Sequence, residues 1–186
     1  MKPELLEVLT LADGKPLPPS LRAWFTYDAK WQPFEIDTKQ KRLRAKKFND
    51  LLEAALPDIA PAFAELGRML LTGDCYRIFV PSECDENTVL FLYGPLADKS
   101  GEMPAIGFCF SDDGFVGVFA CGFDVYLARV MQVCEAVPYA FGAGPKPYAS
   151  ATKQLIKSLV AAAPKPVQKK LHVDDDVIWV GQLTDR

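Results

Sequence analysis

The sequence predicts an α+β fold, an antiparallel β-meander sheet packed by N-terminal helices and a C-terminal helix. Three observations carry that expectation. The stretch Pro104–Val130 contains two apolar runs of strand length, Ala105–Phe110 and Phe115–Cys121, with Ser111-Asp112-Asp113-Gly114 between them. Asp-Asp-Gly is turn chemistry, because glycine accepts positive φ and aspartate tolerates it. A third run, Asp124–Val130, follows Gly122 and reads as the next strand, being rich in β-branched and aromatic residues. Second, Phe48, Leu51, Leu52, Ala55 and Leu56 recur at i, i+3, i+4, i+7 and i+8, the period of an amphipathic helix. Third, Leu155, Ile156, Leu159, Val160 and Ala163 form a similar stripe near the C-terminus.

Taken in order, Leu5, Leu6 and Leu9 make a short stripe that predicts a helix over 3–10, ended by Asp13-Gly14. Pro18-Pro19-Ser20 opens a second helix, since proline suits a first helical turn. Leu21, Trp24 and Phe25 then face the core. Residues 26–38 read as irregular, with Tyr27, Trp31 and Phe34 packing the loop down. Lys39–Lys47 carries six basic residues and reads as a solvated lead-in to the next helix. Pro57 stops that helix, and Asp58 caps a partner bearing Ile59, Phe63, Leu66 and Leu70, so 46–72 is expected to form a helical pair. Strands follow at Tyr76–Val80 and Val89–Tyr93, and Gly94 to Glu102 is a polar loop. Residues 131–147 are broken by Pro138, Pro145 and Pro147, with room for a short helix near Val130–Ala136. A last helix over 151–163 ends at Pro164, and Val177–Leu183 reads as a final strand. No repeat or linker divides the 186 residues, so one domain is expected, with the pair at 46–72 as an insertion.

Composition narrows the function. Hydrophobic residues make up 49% of the chain and charged residues 24%, which is the balance of a folded globular protein. A net charge of −3 suits a basic partner better than nucleic acid, which the chain is not expected to bind directly. No apolar run reaches membrane-spanning length, and Met1-Lys2-Pro3-Glu4 lacks the order of a signal peptide, so no membrane partner and a cytoplasmic location are expected. The cysteines at 75, 84, 109, 121 and 134 show no CxxC pair and read as reduced, structural thiols.

A search for reaction chemistry yields little. His172, the one histidine, lies between Leu171 and Val173 with no cysteine beside it in sequence, so a cysteine–histidine nucleophile is not indicated. Asp174-Asp175-Asp176 lacks the alternation and turn glycine of a calcium loop. Gly142 and Gly144 precede Pro145-Lys146-Pro147, whose prolines remove the N–H groups a phosphate loop needs. No cofactor, metal or catalytic residue is expected. From Asp74 to Asp113, however, eight acids stand against Arg77 and Lys99, a net of −6. All eight lie outside the apolar centres of the strands, and an acidic rim of this kind steers a basic partner.

Two stretches resemble the SUKH superfamily. Leu17-Pro18-Pro19-Ser20-Leu21-Arg22-Ala23-Trp24-Phe25 is similar to its opening proline-led helix. Glu102-Met103-Pro104-Ala105-Ile106-Gly107, Asp112-Asp113-Gly114 and Gly122-Phe123-Asp124-Val125-Tyr126-Leu127-Ala128 resemble its sheet. The likeness covers about residues 15–160. Thr26-Tyr27-Asp28-Ala29 stands where the family usually has Asn-Gly-Gly, and the pair at 46–72 is an addition to its compact pattern. The resemblance implies a binding protein without catalytic residues, of the kind that serves as an immunity protein against a bacterial toxin. The expected partner is a cognate toxin, with a nuclease as the class an acidic rim suits. The residues expected to meet it are Glu83, Asp85, Glu86, Asp112, Asp113 and Asp124, with Tyr126 as an aromatic anchor. The alternatives are a regulatory or scaffolding module of the same fold, or a small cysteine- or carboxylate-dependent hydrolase.

Overall fold

A computed structural model describes residues 3–27, 33–79, 87–110, 114–131, 149–174 and 177–180. Its centre is a six-stranded antiparallel sheet in the order β3-β4-β5-β6-β8-β7. The strands are β3 (Cys75–Arg77), β4 (Thr88–Tyr93), β5 (Ala105–Cys109), β6 (Phe115–Ala120), β7 (His172–Asp174) and β8 (Val177–Trp179). The first four run as the expected meander, with register pairs Cys75–Tyr93, Leu90–Gly107 and Gly107–Gly117. The β7–β8 hairpin then joins through Val116–Ile178. The fold is thus α+β, as the sequence predicts.

Every residue of β4 and β5 is buried. Alternation along a strand sends neighbours to opposite faces, so a strand buried throughout requires cover on both sides. On one face α3 (Phe48–Ala55), α4 (Ala64–Met69), α6 (Ala149–Ala162) and α7 (Lys165–Gln168) enclose Phe91, Phe108, Val116, Val118 and Ile178. Phe48 meets the rings of Phe91 and Phe108 edge-on at 5.7 and 5.6 Å. On the other face α1 (Pro3–Val8), α2 (Pro19–Thr26) and α5 (Phe123–Val130) accompany Tyr76, Leu90, Leu92, Ala105 and Phe119. The expected helical pair is present as α3 and α4, with a short 3-10 turn, Ala60–Phe63, leading into α4. Gly67 lets them approach closely, since a Cβ there would stand 2.1 Å from Asn49 Oδ1. Asn49 Nδ2 ties the pair by donating to the Ala64 carbonyl at 3.0 Å.

Three readings are corrected. The run expected as a strand at Asp124–Val130 is the helix α5. Gly122 is extended and stands at its N-cap, Asp124 complements the helix dipole in the first turn, and Phe123 and Tyr126 face the core. The apolar residues 123, 126, 127 and 130 are spaced i, i+3, i+4 and i+7, so helical period prevails over strand propensity. The basic stretch 39–47 is not a plain lead-in. It includes β2 (Arg42–Leu43), which pairs with β1 (Ile36–Asp37), and Asp37 Oδ1 accepts the N–H groups of Lys39 and Gln40 at the turn. Strand β7 was not expected; His172–Asp174 forms the outermost strand of the sheet. The suggested short helix near 130–136 and the end of the last predicted strand, 181–183, lie largely outside the described residues.

Candidate functional site: an acidic rim at one end of the sheet

The sheet brings three carboxylate-bearing segments to one end. Cys75 pairs with Tyr93, and Ala105 pairs with Ala120, so β3 and β5 begin where β4 and β6 finish. Asp74, the connection 94–104 and the turn Cys121-Gly122-Phe123-Asp124 all leave from that end.

Each carboxylate there has a definite state. Asp74 accepts from Lys47 Nζ at 2.9 Å. Asp98 Oδ1 accepts the Ser100 N–H at 2.8 Å, the Ser100 hydroxyl at 2.7 Å and the Glu102 N–H at 2.9 Å. The Ser100 hydroxyl is the chief reason the Asp98 carboxyl is held below its usual range, with the backbone N–H groups adding to it. Glu102 reaches α2. Its Oε1 accepts the Ser20 N–H at 2.8 Å, and its Oε2 accepts the Ser20 hydroxyl. Pro18, at the N-cap of α2, has no polar side chain, so the cap comes from a residue 82 positions away.

Asp124 differs. It is exposed in the first turn of α5, with no ion pair or hydrogen bond among the described residues. A Cβ at position 122 would stand 2.5 Å from Asp124 Oδ1 and 3.9 Å from Glu102 Cβ, so the two acids flank Gly122. Cys121 beside them is half-buried. Burial pushes its thiol up, and the charges of Asp124 and Asp98 push it further. It is therefore held as a thiol, the opposite of an activated nucleophile.

An open cleft of about 710 Å³ lies at the same end. Leu17, Tyr76 and Pro95 supply apolar lining, and Asp74, Asp98 and Lys99 supply polar lining. Lys15 and Lys47 in its lining pair with Asp13 and Asp74, at 2.8 and 2.9 Å. The phenol of Tyr76 is pushed up to about 12 by burial, and its oxygen accepts the Ala12 N–H at 3.1 Å.

Of the residues expected at a binding site, Asp124 and Tyr126 lie among the described residues. Asp124 stands on the rim. Tyr126, expected as an anchor, is fully buried, and its hydroxyl donates to the Phe79 carbonyl at 2.5 Å, so it serves the core. Glu83, Asp85, Glu86, Asp112 and Asp113 lie outside the described residues. The strand ends that flank them, Asn87, Phe110 and Gly114, sit at the opposite end of the sheet, where the Phe110 N–H donates to the Asn87 carbonyl. Asp98 and Glu102, two of the eight acids counted in the sequence, were not among the expected contact residues. The signals were present: Asp98-Lys99-Ser100-Gly101 is an Asx-turn pattern, and a helix led by two prolines needs its cap from elsewhere.

Other candidates stand apart. His172 is exposed on β7, and Cys75 and Cys109 are buried in β3 and β5. Burial pushes the Cys75 thiol up strongly. Among the described residues no group of three or more His, Cys, Asp or Glu is placed to hold a metal, and no helix is long and apolar enough to cross a membrane. The chain matches no protein-family model, no curated protein and no solved structure.

Proposed function

We propose that the protein is a SUKH-like immunity protein that neutralises a cognate bacterial toxin in the cytoplasm by direct protein–protein binding, the acidic rim around Asp124 meeting a basic surface of the toxin. The observation that carries this reading is the state of the rim. Asp98 and Glu102 are held by internal hydrogen bonds, and Asp124 stands exposed beside Glu102 with no ion pair or hydrogen bond among the described residues. An exposed carboxylate, backed by the charges of its neighbours, steers and orients a cationic partner. The resemblance of 17–25 and 102–128 to the SUKH pattern supports the same reading, and Glu102 joins these two stretches through Ser20. A nuclease is the favoured class of toxin, because its nucleic-acid surface is basic and an acidic rim competes for it.

The test is co-expression with the toxin encoded beside this chain. The expected result is rescue of growth, a stable complex of the purified proteins, and binding weakened about tenfold or more at low salt by Asp124→Lys. Unrelieved toxicity in the presence of folded protein would overturn the proposal. Recovery of a resident cellular protein in its place would assign the rim to a regulatory module.

A further inference from the structure

The net charge of −3 conceals an uneven distribution. From Ser150 to Lys170 the chain holds five lysines, Lys153, Lys157, Lys165, Lys169 and Lys170, and no aspartate or glutamate. This stretch carries +5 and the remainder of the chain −8. The lysines stand on α6, on α7 and in the turn that closes α7. All five are exposed, and among the described residues none of their ammonium groups makes an ion pair or a hydrogen bond.

The fold turns them outward together. Ile156, Leu159, Ala163 and Val167 enter one core, so both helices turn their inner sides to the same face of the sheet. Lys153 and Lys157 are one helical turn apart on α6, and Lys165 and Lys169 are one turn apart on α7. Gln168 Nε2 donates to the Ala161 and Ala163 carbonyls at 3.3 and 2.7 Å, which ties α7 back onto the end of α6. Like charges one turn apart destabilise a helix, and an anionic partner relieves that repulsion.

The composition of the face selects the partner. The core of a protein interface is apolar and poor in lysine, and no large exposed hydrophobic residue lies between 150 and 170. Single-stranded nucleic acid needs aromatic platforms, and this stretch has no aromatic residue and no arginine. A duplex groove admits a protruding helix, whereas α6 and α7 share their layer with α3 and α4. A flat anionic surface needs none of these features. A cluster of about four to eight basic residues on an amphipathic helix is what anionic lipid headgroups attract.

We propose that the α6–α7 face is a docking surface for an anionic lipid bilayer, held by lysine–headgroup attraction without insertion. The apolar sides of both helices are committed to the core, so attachment is reversible and sensitive to salt. It needs no membrane-spanning helix, and it does not depend on the rim or the toxin.

Co-sedimentation of the whole chain with phosphatidylcholine vesicles, with and without about one-third phosphatidylserine, is the test. The expected result is binding to the phosphatidylserine vesicles at low salt that fades as salt rises, and none to phosphatidylcholine alone. Each lysine at such a surface is worth about fivefold in affinity, so K153Q/K157Q weakens binding about 25-fold. Glutamine matches lysine in helix propensity, so the circular dichroism of that variant is unchanged. K39Q/K41Q removes the same charge from the β1–β2 hairpin, which packs on the other face of the sheet through Leu43, and leaves binding unchanged. A wild-type chain that ignores phosphatidylserine vesicles at low salt overturns the proposal. So does equal weakening by the two double variants, or tighter binding to duplex DNA than to the vesicles, which would assign the face to nucleic acid.

Discussion

Glu102→Ala tests whether one side chain joins the N-terminal helix to the sheet. α2 starts with two prolines and has no side-chain cap from its own N-cap residue. Glu102 supplies the cap through Ser20 N–H at 2.8 Å and also accepts the Ser20 hydroxyl. Loss of an N-cap costs about 1 kcal/mol. Loss of a negative charge at a helix N-terminus costs about 0.5 kcal/mol. Loss of the half-buried bond to the Ser20 hydroxyl costs about 1 kcal/mol. These contributions overlap, so the expected destabilisation is about 2 kcal/mol, a fall of roughly 4–8 °C in Tm for a chain of this size. Urea unfolding followed by tryptophan fluorescence is the assay, because Trp24 is buried on α2 and packs edge-on against Phe123 at 6.1 Å. Glu102→Gln keeps an acceptor and should lose about half as much. Glu53→Ala removes an exposed carboxylate from α3 and should stay within about 0.5 kcal/mol of wild type. In a double-mutant cycle with Ser20→Ala the coupling should be about 1 kcal/mol. A Glu102→Ala variant no less stable than Glu53→Ala, or a strictly additive cycle, would refute the reasoning.

Phe48→Ala empties the centre of the larger core, where the ring meets Phe91 and Phe108, and should cost about 4 kcal/mol in urea unfolding. Tyr126→Phe removes the hydroxyl that donates to Phe79 and should cost about 1 kcal/mol. Because the ring is fully buried, titration calorimetry should find partner affinity unchanged. The Asp98 carboxyl is held below its usual range by the Ser100 hydroxyl and neighbouring N–H groups. A depressed folded-state pKa gives stability that is present above the ordinary carboxylate value and lost as pH falls through the depressed one. Asp98→Asn should therefore be less stable than wild type near neutral pH, with the gap closing below about pH 4. The carboxylate is largely in water, so the gap is small; a gap that widens toward acid in paired urea melts would reverse the assignment.

The fold was legible where local pattern and tertiary demand agree. β4, β5 and β6 announce themselves because both faces of the sheet are covered, which demands near-continuous apolar runs. α3 and α6 announce themselves through unbroken helical stripes. The run at 123–130 misled because aromatic and β-branched residues serve both states, and only its spacing and the extended Gly122 select the helix. β7 escaped notice for the opposite reason. Its three residues carry no apolar alternation and are all exposed, so pairing with β8, not burial, makes them a strand.

The site was half legible by the same logic. Charge density between 74 and 113 was visible in sequence, but its meaning depends on which strand ends adjoin. Antiparallel pairing sets the strand ends Phe110 and Gly114 at the far end of the sheet from Asp98 and Glu102. It also brings Asp124 beside Glu102, 22 positions earlier in the chain. The connectivity of the meander, which sequence proximity does not reveal, groups Asp98, Glu102 and Asp124. The side chain that fixes the rim, Glu102, is spent inward on Ser20. The side chain that sequence offered as an anchor, Tyr126, is spent inward on Phe79. Asp124 is exposed beside Glu102 and, among the described residues, has no ion pair or hydrogen bond. A recognition surface needs that combination, which is why a charge reversal at 124 should affect binding while Glu102→Ala affects folding first.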